Sequence, residues 1–234
     1  MGGRGVTQAA TRAARAEGPE AAPLPAAEHE ISQPRRLGVL GGTFDPPHLG
    51  HLWLAALAAD ELALDRVLFM PAARPPHKRG RRISPTSDRL VMTRLAITGN
   101  PAFELCPLEI ERPGPSFTVD SVRELRRLHP DARLFLVMAA DSLEQIHTWR
   151  DPQLLLSLVE WAVGPRRGFE LPDRALLRER FGAHAARIHL LSGPALEVSA
   201  SAIRRRVAEG RTIRYLVPRA VEDHISDRSL YRAR

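Results

Sequence analysis

A short apolar run, Leu37-Gly38-Val39-Leu40, passes directly into GGTFDPPHLGH (Gly41–His51) and then into the apolar-rich stretch Leu52–Leu64. This succession limits the fold more than any other feature of the chain. The run reads as a buried strand, the stretch as part of a helix expected over His51–Leu64, and the residues between as a turn joining them. A glycine pair leaving a strand lets backbone approach a ligand with no Cβ in the way. A helix N-terminus just beyond it offers free N–H groups and the positive end of a dipole, which together suit a phosphate. His48 and His51 are three residues apart, so on one helical turn they share a face. Two imidazoles, backbone amides and a dipole aimed at one point make a polyphosphate site. The plainer alternative is a Gly/Pro-rich turn carrying two solvated histidines.

From Leu37 onward strands and helices alternate. Strands are expected at Leu37–Leu40, Val67–Met70, Phe103–Cys106, Leu134–Met138, Trp161–Val163 and Ile188–Leu191. Helices are expected at His51–Leu64, Asp88–Thr98, Val119–Leu128, Pro152–Leu158, Asp173–Phe181 and Ser201–Glu209, with Gly99, Pro130 and Gly210 as stops. The strands are aliphatic without clean alternation, as when both faces of a sheet are covered. The pattern predicts an α/β chain: a Rossmann-like, doubly wound parallel sheet forming a single domain over residues 37–234. Ligands of such sheets sit beyond the carboxyl ends of the strands, where the Gly41–His51 loop lies.

Residues 1–36 are rich in Ala, Arg, Gly, Pro and Glu and poor in large apolar side chains. They cannot bury enough surface to offset their ordering entropy and read as a disordered extension. Glu17, Glu20, Glu28 and Glu30 argue against a transit peptide, because such peptides avoid acids. A start codon assigned too far upstream would also explain the stretch. No apolar run approaches the roughly 18 residues of a membrane span, so no membrane partner is expected. The single cysteine, Cys106, excludes an intramolecular disulfide framework and fits a reducing, cytoplasmic setting. Its apolar surroundings, Phe103–Leu108, read as core. The net charge of +7 suits nucleic acid or anionic phosphate substrates equally. With aromatics at 5% and no aromatic-interleaved basic stripe, there is no stacking platform for single strands. Nothing in the chain indicates its oligomeric state.

Four further segments fall at predicted strand ends or helix starts. PAARPPHKRGRR (Pro71–Arg82) follows the second strand and carries His77, Lys78 and four arginines, either as a solvated basic loop or as a phosphate-facing one. Ser116 or Thr118 reads as an N-cap, which can still present a free amide to a ligand. Asp141, beyond the fourth strand, suits ribose hydroxyls, and Trp149 reads either as a core plug or as a surface for a flat ring. Ser199-Ala200-Ser201 opens a helix with Arg204–Arg206 in its first turns. Cations there oppose the dipole, which makes sense if an anion is bound. The chain has no Ser-His-Asp ordering, no carboxylate pair and no Cys/His metal spacing. Phosphoryl-type transfer can run without them, by positioning and electrostatics.

Gly41–His51, with its H-x-G-H form, resembles the signature of the α/β nucleotidyltransferase superfamily. Pro76-His77-Lys78, Ser116–Asp120, Asp141-Ser142-Leu143 with Thr148-Trp149, Ser199–Arg204, Arg214–Pro218 and Leu230-Tyr231-Arg232 narrow the likeness to the bacterial nicotinate-mononucleotide adenylyltransferases. The resemblance runs from Leu37 to the C-terminus. It implies adenylyl transfer from ATP, carried with Mg²⁺, to nicotinate mononucleotide, giving deamido-NAD and pyrophosphate in NAD biosynthesis. By that resemblance His48, His51, Lys78 and Arg204 are catalytic. Gly41, Gly42, Phe44, Asp141, Ser199 and Ser201 join His48, His51 and Arg204 in binding ATP, while Thr118, Asp120 and Trp149 take the mononucleotide. Three departures stand out. Ala139 replaces a glycine, Ala200 and Ser201 replace the last two residues of S-S-T, and Phe117 replaces a tyrosine. The competing readings are an adenylyltransferase with a phosphopantetheine or nicotinamide mononucleotide acceptor, and a basic nucleic-acid-binding module.

Overall fold

The computed structural model describes residues 1–2, 35–74 and 83–232. Most of the expected N-terminal extension, and both His77 and Lys78, lie outside the described residues. Everything described from residue 35 onward belongs to one compact unit, Gln33–Arg234.

Six strands, β1 (Arg36–Gly42), β2 (Arg66–Pro71), β3 (Phe103–Leu105), β4 (Arg133–Ala139), β5 (Glu160–Gly164) and β6 (Ile188–Leu190), form one sheet in the order β3-β2-β1-β4-β5-β6. Every neighbouring pair is parallel. This is the doubly wound arrangement that the alternation predicts. The chain steps outward from β1 to β3, then returns to start β4 beside β1 and steps the other way. Between β1 and β4 the connections leave in opposite directions and open a crevice at the carboxyl edge.

The expected helices appear as α1 (Leu49–Glu61), α2 (Thr86–Ile97), α4 (Thr118–Leu128), α6 (Pro152–Leu158), α7 (Arg174–Phe181) and α8 (Ala200–Ala208). Three more, α3 (Leu108–Glu111), α5 (Ala140–Glu144) and α9 (Arg219–Asp227), were not expected. Helix α1 starts two residues earlier than its sequence suggests. It stops at Glu61 because Ala63 turns into the left-handed region (φ 45°) and sends Leu64 into the core. Neither Ser116 nor Thr118 caps α4, since Phe117 holds the flanking position.

Strand β4 shows why the alternation was hidden. Leu134, Leu136 and Met138 face a core shared with Val122 and Leu125 of α4 and Leu155 of α6. Phe135 and Val137 face the opposite core, under Ala55, Leu57 and Ala58 of α1. Both faces bury apolar groups, and each fully buried aliphatic side chain contributes about 1.5–3 kcal/mol. A third, smaller cluster joins Met92 of α2, Ile203 of α8, Val221 and Ile225 of α9, and Ile213 and Val217 between the last two helices. It brings the C-terminal helices against the carboxyl edge of the sheet. Among the described residues no helix is long and apolar enough to cross a membrane.

Candidate active site

A cavity of about 560 Å³ opens at the carboxyl edge, over the ends of β1 and β4. Gly41 and Gly42 form its floor. They are the last two residues of β1, paired with Met70 and Pro71, rather than the start of the loop. A Cβ on Gly42 would meet the ring of Phe44 at 3.1 Å. That ring is buried and packs edge-on against His51 with centroids 5.0 Å apart, while its backbone is held at φ 48°. A left-handed phenylalanine is costly, and here the burial of its ring holds it in place. Phe44 therefore packs its ring beneath the glycines, and it is not among the residues lining the cavity.

His48 does not lie on the first turn of α1. It is the flanking N-terminal residue, and its backbone N–H donates to His51 Nδ1 at 3.2 Å. An Nδ1 that accepts a hydrogen bond places the ring hydrogen on Nε2. The two imidazoles stack, with centroids 3.7 Å apart. His48 is buried, and this burial, helped by the nearby charge of Arg166, lowers its pKa from 6.5 to about 4. It is thus uncharged at neutral pH. Gly50 makes the stack possible, because a Cβ there would press on His48 Cε1 and Nδ1 at 3.1 Å.

The amides at the start of α1 divide unequally. That of Leu49 donates to Leu216 O (3.0 Å) and that of His51 to His48 O (2.9 Å). Gly50 N–H, at the cavity wall, has no partner among the described residues. Helix α8 opens on the same cavity beside it, with Val198 O only 3.7 Å from where a Gly50 Cβ would stand. Ser199 caps α8 by accepting from Ala202 N–H at 3.2 Å, and the amides of Ala200 and Ser201 have no partner among the described residues. Arg204, one turn on, donates from Nη1 to Asp45 O (2.6 Å) and from Nη2 to Ser201 Oγ (3.3 Å). Two helix N-termini, two imidazoles and a guanidinium thus face one end of the cavity, an arrangement suited to several negative charges.

Thr118, Trp149, Asp141 and Glu109 also line the cavity. Trp149 is half-buried: it packs against the core and also lines the cavity. Asp141, in the first turn of α5, has Arg166 at 3.5 Å. Asp120 does not line the cavity; its carboxylate faces Arg123 (3.7 Å) and Arg150 (3.9 Å). Cys106 is half-buried, and burial raises its thiol pKa, which keeps it in the unreactive form.

The feature that the sequence did not disclose is Arg89 of α2. Its side chain is almost wholly buried, and it donates to the carbonyls of Thr43 (2.9 Å), Ala72 (2.7 Å), Ala73 (3.4 Å) and Ser84 (3.2 Å) and to Thr86 Oγ1 (3.2 Å). It ties the loop after β1, the end of β2 and the start of α2 together. Ser116 adds a second tie, its Oγ accepting from the amides of Ala73 (3.0 Å) and Arg74 (3.3 Å). Among the described residues no group of three His, Cys, Asp or Glu could hold a metal ion.

Residues 39–206 match the cytidylyltransferase-like family. A protein of Thermomicrobium roseum named probable nicotinate-nucleotide adenylyltransferase is 48% identical over 197 residues, covering 84% of this chain and 92% of its own length. The chain belongs to the nicotinate-nucleotide adenylyltransferase family. A second member with that name, from Desulfitobacterium hafniense, is 42% identical over 85% of this chain and 97% of its own. The fold is also that of the Plasmodium falciparum nicotinic acid mononucleotide adenylyltransferase solved in complex with NaAD. That structure aligns with TM-score 0.72 and 18% identity over 84% of this chain and 97% of the other. The family match takes in both histidines and reaches through Arg204.

Proposed function

We propose that the protein transfers the adenylyl group of ATP to nicotinate mononucleotide, releasing deamido-NAD and pyrophosphate. The observation that carries this reading is the convergence of α1, α8, His48, His51 and Arg204 on a cavity that Trp149 and Thr118 also line. ATP, taken with its Mg²⁺, lies with its triphosphate at the helix N-termini. The lining donors there are amides, imidazoles and a guanidinium rather than a carboxylate cage, which suits a metal that travels on the nucleotide. Gly41 and Gly42 let the α-phosphate approach the backbone, and Asp141 accepts from ribose hydroxyls. Trp149 stacks on the pyridine ring, and the Thr118 amide meets its carboxylate.

The phosphate oxygen of the mononucleotide attacks the α-phosphorus in line. A new P–O bond forms as the bond to the bridging oxygen breaks, and the electron pair leaves with pyrophosphate. Little covalent work falls to the protein; orientation and charge stabilisation do the rest. His51 Nε2–H, the open amides of Gly50 and Ser201, and Arg204 are aimed where negative charge grows, in a site they do not need to reorganise. His48, uncharged and stacked, fixes the His51 ring and donates alongside it. Lys78 adds positive charge from the basic loop, as the family likeness implies.

The test is pyrophosphate release by the purified protein with MgATP and each of three acceptors: nicotinate mononucleotide, nicotinamide mononucleotide and phosphopantetheine. Highest kcat/KM with nicotinate mononucleotide is expected. Faster turnover of another acceptor, or none with any, would refute the assignment.

A further inference from the structure

The closing segment Leu230-Tyr231-Arg232 reaches back to the loop that precedes α1. Asp45 lies in that loop and is only 3% exposed. Its carboxylate accepts two hydrogen bonds, one from the Tyr231 hydroxyl at 2.7 Å and one from Ser84 N–H at 3.2 Å. Its main-chain carbonyl accepts Arg204 Nη1 at 2.6 Å. One residue therefore joins Tyr231, close to the C-terminus, to the arginine at the cavity. Neither Asp45 nor Tyr231 lines that cavity, so neither can touch a substrate within it.

We propose that Tyr231 is a positioning residue: by holding the Asp45 carboxylate it fixes the Asp45 carbonyl and, through it, the direction in which Arg204 faces the ATP phosphates. The proposal rests on the reading of Arg204 as a phosphate ligand. A buried carboxylate is tolerated only while hydrogen-bonded. Without the phenol, Oδ1 loses its partner, and the side chain must turn to find another, carrying its own carbonyl with it. Arg204 is held at both terminal nitrogens, so moving one anchor rotates the guanidinium plane about the other, Ser201 Oγ. The chain end is built to deliver the hydroxyl. After α9, Leu230 N–H closes on Ile225 O at 2.9 Å, and Ser229 and Tyr231 take positive φ values of 49° and 64°. Burial and the charge of Asp45 raise the phenol pKa, so the hydroxyl keeps its proton at any working pH.

The experiment is a double-mutant cycle between Tyr231→Phe and Arg204→Lys, read by steady-state kinetics with both substrates varied. Phenylalanine keeps the ring and removes only the hydrogen bond. Tyr231→Phe is expected to raise KM for ATP roughly tenfold and to lower kcat, with KM for nicotinate mononucleotide unchanged. In the Arg204→Lys background the same substitution should change kcat/KM for ATP by less than about threefold, because its target is already gone. Equal costs in both backgrounds, or equal increases in the two KM values, would make Tyr231 a merely structural anchor and overturn the proposal. Should Tyr231→Phe lose its near-ultraviolet circular dichroism, Asp45→Asn takes its place in the cycle, with the same non-additivity expected and additive costs again overturning it. Wild-type protein inactive with ATP and nicotinate mononucleotide would refute the proposed function; active wild type with an additive cycle would refute only this inference.

Discussion

His48 should make the folded protein sensitive to acid over a window that its own burial defines. Burial, seconded by Arg166, lowers its pKa from 6.5 to about 4. Between those two values the unfolded chain binds a proton that the folded ring refuses, so stability falls as pH falls from 6.5 toward 4. At roughly 1.4 kcal/mol per tenfold, the full difference comes to about 3.5 kcal/mol, of which about 2.5 kcal/mol is already lost at pH 4.5. Above about pH 7.5 the contribution is fully present, and below about pH 3 nothing further is lost through this residue. The assay is urea unfolding followed by tryptophan fluorescence, for wild type and His48→Gln, at pH 7.5 and pH 4.5. Carboxylates and the remaining histidines titrate in both proteins and cancel in the difference of differences. The variant should lose about 2.5 kcal/mol less than wild type on acidification. Parallel losses, within about 0.5 kcal/mol, would mean that His48 is freely protonated in the fold and that the reasoning from its burial is wrong.

His51→Ala should lower kcat by roughly 10²–10³ with little change in Tm, the scale set by loss of one preorganised donor at a developing anion; near-wild-type kcat in a folded variant would return the histidine pair to the role of turn residues. Trp149→Ala should raise KM for the mononucleotide far more than KM for ATP, whereas equal changes would assign the ring to the core alone. Arg89→Met should cost about 3–5 kcal/mol in urea unfolding, since it removes a buried guanidinium and strands four carbonyls and a hydroxyl, and a cost under about 1 kcal/mol would show that the loops hold themselves. A chain beginning at Gln33 should keep the kcat and Tm of the full sequence, because residues 1–32 offer little apolar surface; a large loss of either would show that the extension docks.

What the sequence discloses here follows the range of the interactions involved. The strands were legible because aliphatic runs bounded by Gly, Pro and polar residues leave few other readings, and each falls within two residues of its expected ends. Helix α9 was not expected, because its buried contacts rest on Val221 and Ile225 alone, one turn apart, in an otherwise polar stretch. The proline before it was the available signal. The position of His48 outside α1 depends on its stacking with His51 and on the space at Gly50, neither of which a spacing argument contains. Phe44 looked like a ligand contact because it sits in the signature loop. Its backbone conformation turns the ring down into the core, which the spacing of the loop does not disclose. Arg89 gave no local hint at all, since an arginine in a helix opening with polar residues reads as surface and its five acceptors come from three separate places in the chain.

Of those five acceptors, four are main-chain carbonyls. A carbonyl is supplied by whatever residue occupies the position, so Thr43, Ala72, Ala73 and Ser84 can each be exchanged without removing a contact. The shape of three loops around the cavity is thereby stored in one side chain, while the loops' own side chains stay free to drift. Acceptor preference can then be retuned in the course of descent, or by a designer, through changes in the loops alone. The anchor beneath them would need no compensating substitution.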